Sequence, residues 1–144
     1  MTRTLSENGL NLIKRWEGLR LKAYKCSAGK WTIGYGHTTG VTKNLTCIQE
    51  QADAWLYADC QNAMDAVNRW DTVYNWSQNE FDALVSFTFN CGSANLKSLL
   101  KNGTRSIAEI EKYLPQYRKA GGKVSQGLIN RRNDELKLFK QGGK

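Results

Sequence analysis

A carboxylate placed where a helix gives way to a loop is well situated for acid–base chemistry, and Glu17 sits at such a junction. Before it, Leu5, Leu12, Ile13 and Trp16 recur at helical spacing. After it, the chain turns glycine-rich, and aromatic and β-branched residues alternate with polar ones. Functional side chains gather at element ends beside clefts, so Glu17 is a candidate general acid or base. A solvated carboxylate in a last helical turn is the competing reading. The other reactive types are the four cysteines Cys26, Cys47, Cys60 and Cys91 and the single histidine His37. No Cys-x-x-Cys spacing occurs and one histidine cannot complete a ligand set, so no metal site is expected. An even number of cysteines permits disulfides. A chain of this length buries a core without them. Free thiols are expected, with Cys47, Cys60 and Cys91 as small buried hydrophobes.

The elements that must position Glu17 follow from local signals. Thr4-x-x-Glu7 reads as a capping box opening a first helix that reaches about Trp16. The stretch from Leu19 to Gly40 reads as a β-hairpin or small three-stranded sheet, with a turn at Ser27-Ala28-Gly29. Thr46-x-x-Gln49 is a second capping box, and Ile48, Ala52, Trp55, Leu56, Ala63, Val67 and Trp70 mark one long helix behind it. Ser77-x-x-Glu80 and Ser106-x-x-Glu109 open two further helices, the second stopping near Pro115. Gly121-Gly122 is a breaker, Leu128 to Phe139 is a last amphipathic helix, and Gly142-Gly143 is expected to fray. The fold class is α+β with segregated elements. A small N-terminal β-sheet lobe (about 14–46) and a larger helical lobe (about 70–144, with the N-terminal helix packed on it) are joined by a long helix at about 47–69. A cleft between the lobes is the expected ligand site.

Bulk composition narrows the partners. The 144 residues are 40% hydrophobic and 24% charged, which suits a folded domain rather than a disordered chain. No apolar run is long enough to span a bilayer, and Met1 to Glu7 lacks the apolar stretch of a signal peptide, so folding in the cytoplasm is expected. A net charge of +8 favours an anionic partner: nucleic acid, a membrane surface or a cell wall. The basic residues are dispersed, unlike those of a nucleic-acid-binding arm.

Larger blocks now carry a resemblance. Glu17-Gly18-Leu19-Arg20-Leu21-Lys22-Ala23-Tyr24 and Trp31-Thr32-Ile33-Gly34-Tyr35-Gly36-His37 resemble the core motif of the phage-type lysozymes, family 24 of the glycoside hydrolases. That motif is Glu, eight residues, Asp or Cys, five residues, Thr, and Glu17, Cys26 and Thr32 keep the spacing. The likeness continues through 77–84, 86–92, 118–122 and 127–132, nearly the whole chain. It implies one lysozyme-like domain over 1–144, a monomer without cofactor. It also implies cleavage of the β-1,4 bond between N-acetylmuramic acid and N-acetylglucosamine in bacterial peptidoglycan. Glu17 would be the general acid, and a free glutamic acid, with a pKa of about 4.3, must be helped to keep its proton at neutrality. Arg131, at the position of an arginine that pairs with the acid in relatives, would work against that help.

Cys26 departs from the commoner Asp. A thiol with a free pKa of about 8.5 is a poor permanent anion. Three roles stand open for Cys26: thiolate nucleophile, base or water-positioner together with Thr32, or tolerated replacement. The middle one is preferred, with the Thr32 hydroxyl holding the attacking water. Phe89, Asn90 and Arg131 match substrate-binding positions, Phe89 and Asn90 each with a core alternative. His37 is implied to be structural, through a carboxylate partner. Trp16, Trp55 and Trp70 fall on helix faces and are read as core rather than sugar platforms. Two rival readings are a lytic transglycosylase, which uses one Glu and no base, and an inactive cell-wall or nucleic-acid binder. The expected partner is peptidoglycan and not nucleic acid. The basic segment 129–144 is read as a docked helix, with weak contact to an anionic membrane as the alternative. Without a signal peptide, an endolysin in the host cytoplasm would reach the wall after release by a holin.

Overall fold

Our computed structural model describes residues 2–141, and the expectation for Gly142-Gly143 lies outside them. The chain divides into two compact units: residues 13–61, and the residues up to Leu12 together with those from Asn62 onward. No helix among the described residues is long and apolar enough to cross a membrane.

The 13–61 unit holds the second half of α1 (Glu7–Glu17), the strands β1 (Arg20–Lys25) and β2 (Trp31–Gly34), and α2 (Gln49–Asp59). β1 and β2 pair antiparallel, Tyr24 with Thr32 and Lys25 with Trp31, and the register slips before Arg20 meets Gly34. The slip has a visible cause. The middle of β1 turns to another neighbour: Ala23 N–H donates to Leu45 O at 2.8 Å and Cys47 N–H to Leu21 O at 2.9 Å. Lys22 and Thr46 form a bridge there. Thr46 is thereby held against the sheet, and the capping box expected from it does not form: α2 starts after Ile48 with no side-chain cap. The turn falls where expected, and Gly29 takes a φ of +81° that an L side chain rarely adopts. Ala52 and Leu56 are the buried positions of α2, and Gly34 approaches Ala52 so closely that an added Cβ would lie 3.2 Å from its methyl.

The helix expected at about 47–69 is two helices, α2 and α3 (Gln61–Asn68). At Cys60 ψ falls to −5°. Its N–H is shared between Leu56 O at 3.0 Å and Tyr57 O at 3.2 Å, a tightened last turn that ends α2.

The other unit continues through α4 (Asp71–Tyr74), α5 (Gln78–Cys91), α6 (Ser93–Leu99), α7 (Ile107–Tyr113), a 3₁₀ turn at Leu114–Gln116, the hairpin β3 (Lys119–Ala120) and β4 (Lys123–Val124), and α8 (Gln126–Lys140). Its centre is α5, buried from Glu80 to Thr88 and packed along α8. Ser77 and Ser106 cap α5 and α7 with complete capping boxes. The box expected at Thr4 is replaced. α1 begins after Ser6, whose hydroxyl donates to the carboxylate of Asp82 while its N–H donates to the same group at 3.1 Å. Gly9 lies so near that an added Cβ would meet Asp82 Cγ at 2.6 Å. Gly121 and Gly122, read as a breaker, both take positive φ and make the two-residue turn of the β3–β4 hairpin.

Trp16, Trp55 and Trp70 are half-buried. The core tryptophan is Trp76, 1% exposed, with its indole N–H donating to Val67 O at 3.0 Å. All four cysteines are free thiols, but only Cys60 is fully buried, so the reading of Cys47 and Cys91 as core residues is corrected.

Candidate active site

Glu17 is the last residue of α1. Gly18 follows with φ +72° and its N–H donates to Lys14 O at 3.1 Å, the left-handed stop that ends a helix without a Cβ clash. The Glu17 carboxylate lies against the backbone at Gly36, where an added Cβ would stand 3.5 Å from Oε1. Gly36 belongs to a tight loop closed by two hydrogen bonds of 2.9 Å between Ile33 and His37. Thr32 immediately precedes that loop. One strand end therefore carries Thr32 and then folds back to line Glu17.

Cys26 ends the other strand's hairpin arm. Its N–H donates to Lys30 O and its carbonyl accepts from Gly29 N–H, both at 2.9 Å. The sulfur is ringed by donors. The backbone N–H groups of Lys30 and Ala28 and the hydroxyl of Thr32 hold the Cys26 thiol below its ordinary range. Thr32 is 3% exposed, and its hydroxyl donates to Lys30 O at 3.0 Å. A hydroxyl has one proton and two lone pairs. Given to Lys30 O, that proton leaves the Thr32 oxygen as an acceptor; turned to the sulfur, it stabilises a thiolate. The structure thus brings Cys26 and Thr32 together, and places Glu17 in the same compact unit. His37 meets its carboxylate partner: Nδ1 is 2.8 Å from Asp59 Oδ2, and the ring stacks on Trp55 at 4.7 Å.

Phe89, Asn90 and Arg131 belong to the helical unit. Phe89 is half-buried and Asn90 exposed near the end of α5. Arg131, on α8, is 4% exposed. Its Nε donates to Glu135 Oε2 at 3.3 Å and its Nη2 to Ser86 at 3.4 Å, so little of it is open to a ligand. Among the described residues no group of His, Cys, Asp and Glu is arranged to hold a metal ion.

Residues 14–135 match the family described as Phage lysozyme. The chain belongs to the phage lysozyme family. It is 43% identical to an endolysin of Bacillus phage PZA over 96% of this chain and 55% of that one. It is 42% identical to an endolysin of Acyrthosiphon pisum secondary endosymbiont phage 1, over 94% of this chain and 97% of that one. Among solved structures, the muramidase domain of SpmX from Asticaccaulis excentricus superposes with a TM-score of 0.85 at 36% identity, covering 96% of this chain and 99% of that one. The chain spans only 55% to 59% of the length of three of its endolysin relatives. Its α+β architecture is lysozyme-like, as expected.

What sequence reasoning missed in this chain is largely backbone and buried charge. The donors to Cys26 from Ala28 and Lys30 are main-chain groups that leave no side-chain signature. Arg132, part of the segment read as a basic helix, and Glu135, which drew no reading, are each 0% exposed. The i,i+3 and i,i+4 placement of Glu135 after Arg132 and Arg131 was the available signal.

Proposed function

We propose that this chain is a muramidase of the endolysin type. It hydrolyses the β-1,4 bond from N-acetylmuramic acid to N-acetylglucosamine in peptidoglycan and so lyses the host cell. The observation that supports this reading best is Glu17 at a helix end with its carboxylate against the Gly36 loop, in one compact unit with the hairpin that carries Cys26 and the buried Thr32. In this reading Glu17 gives its proton to the glycosidic oxygen as the bond to the anomeric carbon breaks. A water held by the Thr32 oxygen supplies the new bond to that carbon and gives up its proton to the Cys26 thiolate. Phe89 offers an apolar face to a sugar and Asn90 a polar contact. Arg131, being buried, serves by holding its neighbours rather than by touching the glycan. Neither metal nor cofactor is needed for this chemistry, and a single chain suffices. Passage from the host cytoplasm to the wall calls for a membrane lesion of the holin kind.

α8 packs along α5, and Arg131 and Arg132, two of the charges of the basic segment, are buried. Both facts favour the docked helix over a membrane-active one.

The test is turbidity loss of purified peptidoglycan with mass analysis of the fragments. Wild type lyses and leaves fragments heavier by one water than their anhydro counterparts. Glu17→Gln loses at least about 100-fold, the scale of a removed general acid. Fragments ending in an anhydro-sugar would replace hydrolysis by transglycosylation, and an inert wild type would overturn the reading altogether.

A further inference from the structure

Behind the pocket of about 570 Å³ lined by Asn90, Cys91, Tyr117, Arg118 and Lys119, among others, lies a guanidinium with no exposure to solvent, that of Arg132. Its contacts run to the walls of that pocket. Nη2 donates to Asn90 Oδ1 at 2.9 Å and to Glu135 Oε2 at 3.0 Å. Nη1 donates to Cys91 Sγ at 2.7 Å and Tyr117 O at 3.5 Å. Its central carbon lies over the Phe87 ring, 5.0 Å from the centroid.

A guanidinium only donates. The atom of the Asn90 amide turned toward Arg132 must therefore be the oxygen, which settles an orientation that atom positions alone leave ambiguous. A second donor agrees. The Cys91 S–H points at the same Oδ1 at 3.5 Å, and burial pushes that thiol up against the pull of Arg132, so the proton is there to give. With its oxygen engaged from behind, the exposed Asn90 side chain has its NH₂ left for whatever enters the pocket.

We infer that Arg132 is a positioning residue that fixes Asn90 as a hydrogen-bond donor, so that the pocket selects a ligand group presenting an amide carbonyl oxygen. This rests on the muramidase reading and names what Asn90 recognises within it. Two parts of peptidoglycan carry such a carbonyl, the acetamido group of a sugar and the peptide bonds of the stem. Glu135 and Ser86 extend the support. The Ser86 hydroxyl donates to Glu135 Oε2 at 2.6 Å, and Glu135 in turn steadies the guanidinium from the helix side.

The experiment measures binding of soluble peptidoglycan fragments by calorimetry in the Glu17→Gln protein, so that no turnover intrudes. Asn90→Asp keeps an acceptor for Arg132 but loses the donor; Asn90→Ala loses both. Both variants are expected to weaken binding by about five- to tenfold, the scale of one lost hydrogen bond, while only Asn90→Ala lowers Tm. Arg132→Lys cannot span Asn90 and Glu135 together and weakens binding in the Asn90 protein, yet adds no further loss once Asn90 is Asp. Additive losses would mean that Arg132 acts on the fold alone, and wild-type binding by Asn90→Asp would mean that the oxygen faces the ligand; either result overturns the inference. Asn90 is at the surface, so its variants decide the matter even if Arg132→Lys does not fold. Repeating the series on fragments stripped of stem peptide identifies the carbonyl: a persisting Asn90→Asp effect assigns the sugar acetamido, a vanishing one the peptide. Failure of the muramidase reading shows separately, as absence of turnover by the wild type.

Discussion

Cys26 and Cys47 belong to one compact unit and have opposite surroundings. N–H donors from Lys30 and Ala28, then the Thr32 hydroxyl, favour the Cys26 thiolate, whereas burial disfavours that of Cys47. The thiolate is the form that reacts with alkylating agents. As pH rises, Cys26 is thus expected to be alkylated first, at a pH where Cys47 and Cys91, both shifted up, are still protonated. Peptide mapping after iodoacetamide treatment across a pH series checks the order; equal rates would contradict the donor ring. The same ring accepts a hydroxyl, so Cys26→Ser keeps measurable lysis where Cys26→Ala keeps less. The spacing of Glu17, Cys26 and Thr32 was legible in the sequence because it is a feature of side-chain types along one short stretch. The groups that tune Cys26 were not, because amide donors look alike in every sequence and only the hairpin turn aims them at sulfur.

At the scale of elements, legibility followed how local each device is. The boxes at Ser77 and Ser106 need only their own first turn, and both formed. Those at Thr4 and Thr46 lost to distant partners, Asp82 acting on Ser6 and the β1 bridge holding Thr46. Ser106→Ala is expected to cost about 0.5–2 kcal/mol in chemical denaturation. Its partner Glu109 is held below the usual carboxylate range, first by the Ser106 N–H and then by the Ser106 hydroxyl. A depressed folded value means that this contribution is present above the unfolded pKa of about 4.3 and fades as pH falls through the lower folded one. A Glu109→Gln deficit should shrink in acid accordingly, whereas that of Ser106→Ala changes less because alanine keeps the backbone N–H; a Glu109→Gln deficit that does not change with pH would count against the box. Gly9 is another matter of fit. Alanine there overlaps the buried Asp82, and a loss of about 1–3 kcal/mol is expected in urea unfolding; an unchanged midpoint would show that α1 and α5 can part at no cost.

For the whole molecule the decisive chemistry is charge without water. Glu135 is 0% exposed, and burial pushes its carboxyl up while Arg132 and then Arg131 pull it back. Glu135→Gln leaves two guanidinium groups short of their counter-charge, and a destabilisation of about 3–5 kcal/mol is expected, the usual cost of breaking a buried pair. Thermal unfolding tests this, and a variant as stable as wild type would show the cluster to be dispensable. Only the i,i+3 and i,i+4 spacing of Glu135 from Arg132 and Arg131 hinted at this beforehand. A run containing Arg131, Arg132, Asp134 and Glu135 looks like a solvated face until α5 is laid along it, just as three half-buried tryptophans looked like core until Trp76 occupied that place.

The tie between Ser6 and Asp82 also has a consequence for synthesis. The two residues are 76 positions apart. At about 5–20 residues per second, the opening of the first helix leaves the ribosome about 4–15 s before its partner has been made. The residues up to Leu12 belong with those from Asn62 onward, while the unit they precede is contained within 13–61 and has all its parts much sooner. The opening of α1 is thus made well before its partner and placed late, and in a growing chain it is there that a chaperone or a protease would find a long opportunity.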